Sequence, residues 1–166
     1  MTKKTIRSEQ ITIVIDSREQ QPYRFEGAVV RPLPTADYSV LGLEDRVAIE
    51  RKTKADAFKS LGRGRGRFER EIQRLALFQY GAVVIEASFA DFLRPPAFSQ
   101  MSARSAARSL LAWSVKYRLP VFWVGDRRHG RAVTRRLLES FARYHREGRH
   151  PGWLMVPTLA DGAAVR

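Results

Sequence analysis

Polar and apolar positions alternate in the first third of the chain and recur at helical spacing after it. In ITIVID, Ile11, Ile13 and Ile15 fall on one side of an extended segment and Thr12, Val14 and Asp16 on the other, because successive strand side chains point to opposite faces. A polar, proline-containing turn follows. AVVRPL and DYSVL then read as two short strands separated by a Pro34-Thr35 break, and VAIER as a fourth beyond the acidic turn Glu44-Asp45.

From Thr53 the period lengthens. KADAFKSL predicts a short helix, GRGRGR a glycine-rich basic loop, and the stripe Phe68, Ile72, Leu75 and Ala76 a second helix over about 67 to 79. Gly81 stops that helix, AVVIE reads as a fifth strand, and SFADFL opens on a helix-capping serine. Pro95-Pro96 enforces a loop, Ser99 opens a helix running to Leu119, and PVFWV is a sixth strand in which Trp123 reads as a core residue. Val133, Leu137, Phe141 and Tyr144 mark a last long helix. Strands first, then alternating helix and strand, predict an α/β fold: a mixed sheet of about six strands flanked by helices on both faces. Residues 1–150 read as one domain and 151–166 as a C-terminal tail.

Composition narrows the function. The 166-residue chain has no cysteine, which excludes disulfides, thiolate metal sites and cysteine nucleophiles and suits a reducing, cytoplasmic setting. No apolar run approaches the length of a membrane span, and the basic N-terminus lacks the apolar core of a signal peptide. A formal net charge of +13, with 24 arginines among the 30 basic residues, points to polyanions, since the guanidinium fork matches phosphate oxygens. Charge alone does not separate a nuclease from a passive binder. His129, His145 and His150 show no metal-ligand spacing.

The acidic positions supply candidate chemistry. Asp37 and Glu50 lie on strands read as consecutive, so an antiparallel pairing would let their carboxylates converge on one cation. Magnesium or manganese held this way neutralises a scissile phosphate and makes hydroxide near neutral pH. Glu50 and Lys52 share a strand face, which sets an ammonium beside a ligand to orient or deprotonate water or to stabilise developing charge. Arg51 points the other way, to pair with a buried acid or a backbone group. Asp16 ends the first strand, with Arg18 and Glu19 immediately after it.

These residues resemble the nuclease domain of the XPF family of structure-selective endonucleases. VIDSRE, ADY, IERKTKADAF, KSLGRGRGRFEREIQRL and AVVIE carry the likeness over roughly residues 11 to 145. The family signature, GD followed by ERK, three residues and D, appears as Ala36-Asp37, Glu50-Arg51-Lys52 and Asp56. The resemblance implies a restriction-endonuclease-like core, metal ligation by Asp37 and Glu50 with help from Asp16, catalysis by Lys52 with Arg51, and support from Glu19 and Asp56. It also implies incision of branched DNA, as in repair and recombination, and a homodimer formed through the nuclease domain; the helices at about 99 to 118 and 131 to 147 carry apolar faces that could serve such an interface or equally pack in the core. Ala36 stands where the family has glycine, a change a strand should tolerate because only the positive-φ option is lost. No helix-hairpin-helix module follows, so a partner could supply the DNA clamp. Arg18, Arg63, Arg65 and Arg67 are the candidate phosphate contacts; Arg127, Arg128, Arg131, Arg135 and Arg136 read equally as DNA contacts or as a solvated helix face. The alternative function is a catalytically silent DNA-binding scaffold subunit of a nuclease complex. A non-catalytic nucleic-acid accessory protein rests on charge alone.

Overall fold

The computed structural model describes residues 11–97 and 99–149. Four strands, β1 (Ile13–Asp16), β2 (Val29–Arg31), β3 (Tyr38–Val40) and β4 (Val47–Thr53), lead into helices α1 (Lys54–Leu61) and α2 (Arg65–Leu75). Then come β5 (Tyr80–Glu86), α3 (Phe89–Phe92), α4 (Ala103–Lys116), β6 (Val121–Trp123) and α5 (Arg127–Arg146). The strands form one mixed sheet in the order β2-β1-β3-β4-β5-β6. β3 runs antiparallel to both neighbours, while β1 and β2, and β4, β5 and β6, pair in parallel.

Each face of the sheet has its own core. Ala48, Val83 and Ile85 pack with Phe58 of α1, Phe68 and Ile72 of α2 and Leu110 of α4. On the other face Ile13, Ile15, Tyr38, Ile49 and Val84 meet Leu138, Phe141 and Ala142 of α5. This is the expected α/β architecture with helices on both faces. Alternation along β4 therefore decides the site: positions 48, 50 and 52 face α1 and α2, and 47, 49 and 51 face α5. Trp123 sits edge-on to Phe89 and Phe92, with centroids 5.1 and 5.9 Å away, as a helix-facing residue. No described helix is long and apolar enough to cross a membrane.

Three boundaries differ from the sequence pattern. The GRGRGR run is not a loop throughout, because Gly64 caps α2 and Arg65 and Arg67 already lie in the helix. The Phe68 N–H needs a carbonyl one turn earlier and finds it at Gly64, 2.9 Å away. Helix α2 also stops at Leu75, short of residue 79, since Tyr80 enters the sheet with its N–H on the Arg46 carbonyl at 3.1 Å. Helix α4 begins at Ala103 rather than Ser99 and ends at Lys116, before Arg118 takes a left-handed turn at φ 52°. The proposed tail 151–166 lies outside the described residues.

Candidate active site

Two backbone hydrogen bonds place the acidic residues. Asp37 precedes β3; its N–H donates to the Ile49 carbonyl at 3.1 Å, and its carbonyl accepts from the Asp16 N–H at 2.8 Å. Pairing of Tyr38 with Ile49 then sets Asp37 beside the Glu50–Arg51 segment, and the Arg51 N–H donates to Asp37 Oδ2 at 2.7 Å. The antiparallel neighbourhood expected of these strands is present. Ala36, however, does not sit in an ordinary strand conformation: its φ is +62°. The chain must reverse immediately before Asp37 is gripped from both sides, so the glycine option that the sequence reading set aside is the one the backbone uses.

Glu50 is 3 % exposed. Its Oε1 accepts from Lys52 Nζ at 2.6 Å, while the buried Oε2 has no hydrogen-bond partner. Burial, then the charge of Asp37, pushes the Glu50 carboxyl well above the usual range. Asp37 is pushed up to about 7 by burial, against the Arg51 N–H and with the charge of Glu19 adding to it. Burial opposes the Lys52 ammonium, yet the charges of Glu50 and Glu71 more than offset this and hold it above the ordinary lysine value. Lys52 Nζ lies 3.7 Å from Glu71 Oε2 and 4.8 Å from the centroid of the Phe68 ring.

Asp16 is placed differently. Its Oδ1 accepts from the Arg18 N–H at 2.7 Å and from Arg18 Nε at 2.8 Å, and its Oδ2 from Arg18 Nη2 at 2.9 Å and the Leu33 N–H at 2.7 Å. Burial works against this carboxylate, but those donors hold its pKa below the usual value. Both oxygens are therefore engaged, and they fasten the loop after β1 to the loop after β2. Arg51 lies on the α5 face, away from Glu50 and Lys52, bidentate to Glu86 at 2.8 and 3.0 Å with Glu19 at 3.6 Å. Alternation gave the face, and of the two kinds of partner open to it, a buried acid or a backbone group, the side chain meets the acid Glu86. Asp56 and Thr53 cap α1 reciprocally, at 3.1 Å (Asp56 N–H to Thr53 Oγ1) and 2.6 Å (Thr53 Oγ1 to Asp56 Oδ2).

A cleft of roughly 450 Å³ runs over Glu19, Gln21, Asp37, Glu50, Lys52 and Asp56. A second, of roughly 370 Å³, adjoins it and shares Asp37 and Arg18. Arg67 lines the second cleft. Arg65 instead turns to α4, bonding Ser109 Oγ at 2.8 Å and stacking on Trp113 at 4.8 Å, and Arg63 lines neither cleft. Glu71 was missed from sequence, though its place three residues after the apolar Phe68 on the α2 stripe was readable.

A family model described as the ERCC4 domain matches residues 15–137. The chain belongs to the ERCC4 domain family. Among solved structures, XPF from Aeropyrum pernix superimposes on this ERCC4 domain with a TM-score of 0.60 at 24% identity, over 83% of this chain and 68% of that one. The same archaeal protein in complex with DNA gives 0.59 at 25% identity, over 84% and 66%. A comparison with curated proteins finds no match. The ERCC4 domain here thus has the fold of an XPF-type nuclease domain, and its Asp37, Glu50, Lys52 and Glu71 all fall within the matched span.

Proposed function

We propose that this ERCC4 domain is a metal-dependent DNA endonuclease acting on flap, fork or junction DNA, with magnesium or manganese as its ion. The observation that carries the reading is the buried Glu50 carboxylate, one oxygen on the Lys52 ammonium and the other unbonded, in the cleft it shares with Asp37. Two crowded carboxylates are unfavourable in a buried site unless positive charge compensates them. Their all-oxygen donor set suits magnesium, which takes one or two carboxylates and fills its remaining positions with water and phosphate oxygens. Among the described residues no three acidic or histidine side chains form a ready-made ion cage.

Asp37 and Glu50 would hold the ion, which when bound neutralises the scissile phosphate and lowers the pKa of water. Asp16 joins them only by releasing Arg18. Lys52, kept protonated by Glu50 and Glu71, serves as a donor to developing negative charge rather than as a base. Arg51 is a positioning residue that fixes β4 against β5 through Glu86 and presents its N–H to Asp37. The archaeal XPF bound to DNA supports DNA as substrate, and the charge of +13 supports spread phosphate contacts. We extend the reading to a homodimer and to a partner that supplies further grip on duplex DNA.

Labelled flap, fork and linear duplex DNA, incubated with the protein and magnesium beside Asp37→Asn and Lys52→Met, tests this. Both variants should cut about 100-fold more slowly or worse, with affinity nearly unchanged because binding is spread over many phosphates. Cutting in EDTA, or undiminished cutting by both variants, refutes the assignment, and binding without cutting by the unaltered protein establishes a scaffold instead.

A further inference from the structure

The smaller cleft is walled by Arg18, Thr35, Asp37, Arg67, Glu71 and Arg74, among others. We infer that it is a phosphate pocket for the linkage next to the scissile one, and that Arg74, together with Arg67, grips that phosphate. The inference rests on the nuclease reading for the position of the scissile group and goes beyond it in assigning the neighbouring site.

Arg67 and Arg74 are seven residues apart on α2, two turns and about 10 Å along one helix face. Both are exposed, and among the described residues neither guanidinium has a hydrogen-bond or ion-pair partner. Of the other arginines nearby, Arg18 is committed to Asp16 and the Leu33 carbonyl, Arg65 to Ser109 and Trp113, and Arg51 to Glu86, while Arg63 and Arg70 line neither cleft. Glu71 lies between Arg67 and Arg74 on the same face, the arrangement in which intrahelical pairs form. Its carboxylate faces Lys52 instead, and this leaves both guanidiniums open to a ligand.

The other acids do not cancel them. Asp16 is neutralised by Arg18, and Asp37 is tied to the Arg51 N–H. The two clefts share Asp37 and Arg18, so a strand with one phosphate over Asp37 and Glu50 carries its next linkage into the arginine-lined space. A guanidinium offers two parallel donors to such a phosphate.

Binding of fluorescein-labelled flap DNA, followed by anisotropy against salt in a cleavage-blocked Asp37→Asn background, tests the pocket. Arg74→Ala should weaken binding about tenfold and lower the slope of log K against log salt by about 1. Arg104→Ala, an exposed arginine of α4 outside both clefts, should do neither, and Arg74→Lys should recover the slope. A neutral methylphosphonate walked along the incised strand should weaken the Asp37→Asn protein at one linkage beside the cut and leave the Arg74→Ala protein no weaker there. Equal effects of Arg74→Ala and Arg104→Ala, or an equal penalty from the neutral linkage in both proteins, overturn the inference. Absence of any cutting by the unaltered chain would sink the nuclease reading alone, since the pocket is judged on binding.

Discussion

Ala36 holds a left-handed backbone angle that suits glycine, and an L-residue there costs roughly 1 to 2 kcal/mol. Ala36→Gly should therefore stabilise the domain by about 1 kcal/mol, net of the entropy glycine adds to the unfolded chain. That amounts to a rise of about 2 to 4 °C in a thermal melt; no rise would mean that the turn relaxes around the alanine. Asp37 gives a pH-dependent counterpart. An unfolded aspartate releases its proton near 3.8 whereas folded Asp37 holds it to about 7, so the folded chain binds more protons between those values. Its contribution is favourable at low pH and is lost as pH climbs through 7. In EDTA, Asp37→Asn should melt above the unaltered protein at pH 8, by less at pH 5, and level with it only below about 3.8, and magnesium should narrow the gap at pH 8. A gap independent of pH would contradict the buried, crowded carboxyl. At this scale the sequence was informative about residue type but not about engagement: nothing in VIDSRE reveals that Arg18 folds back onto both oxygens of Asp16, because that depends on the Leu33 N–H arriving from another loop.

Strand β4 is the element that divides the chemistry. Its two faces carry Glu50 and Lys52 toward α2 and Arg51 toward α5, and period-two alternation made this separation readable without coordinates. The pairing of Asp37 with the β4 segment was readable too, since short antiparallel connections join neighbours. Helix α2 was not. The roles of Glu71 and Arg74 come from how α2 docks over β4, a long-range packing outcome set by Phe68, Ile72 and Leu75, and helical periodicity gives a face but not what the face meets. On the opposite side, Glu86 holds Arg51 in a pair where both side chains are nearly buried. Glu86→Ala leaves that guanidinium short of its principal partner and should cost about 3 kcal/mol in urea unfolding. A loss below 1 kcal/mol would show that Glu19 alone compensates Arg51.

At the scale of the molecule, the described residues form two cores and two contrasting surfaces. One is the arginine-rich rim around the clefts; the other includes Leu111 and Val115 of α4, the latter 81 % exposed, beside a helix face already filled by Ala106, Ala107 and Leu110. Apolar side chains one turn apart in open solvent suit an interface between copies. Sedimentation should give about twice the 19.0 kDa chain mass, and Leu111→Asp with Val115→Asp should return it to the single-chain value. A single-chain mass for the unaltered protein removes the homodimer. The flank of the sheet formed by β2 has another implication. Among the described residues β2 is outermost, and its Val30 is 67 % exposed, so its outer backbone groups are an open template for cross-β stacking of stray chains. Brevity guards it: three residues, then the Arg31 charge, then Pro32, which has no N–H to offer a growing fibril. A further strand pairing along this edge would thus find no donor at position 32.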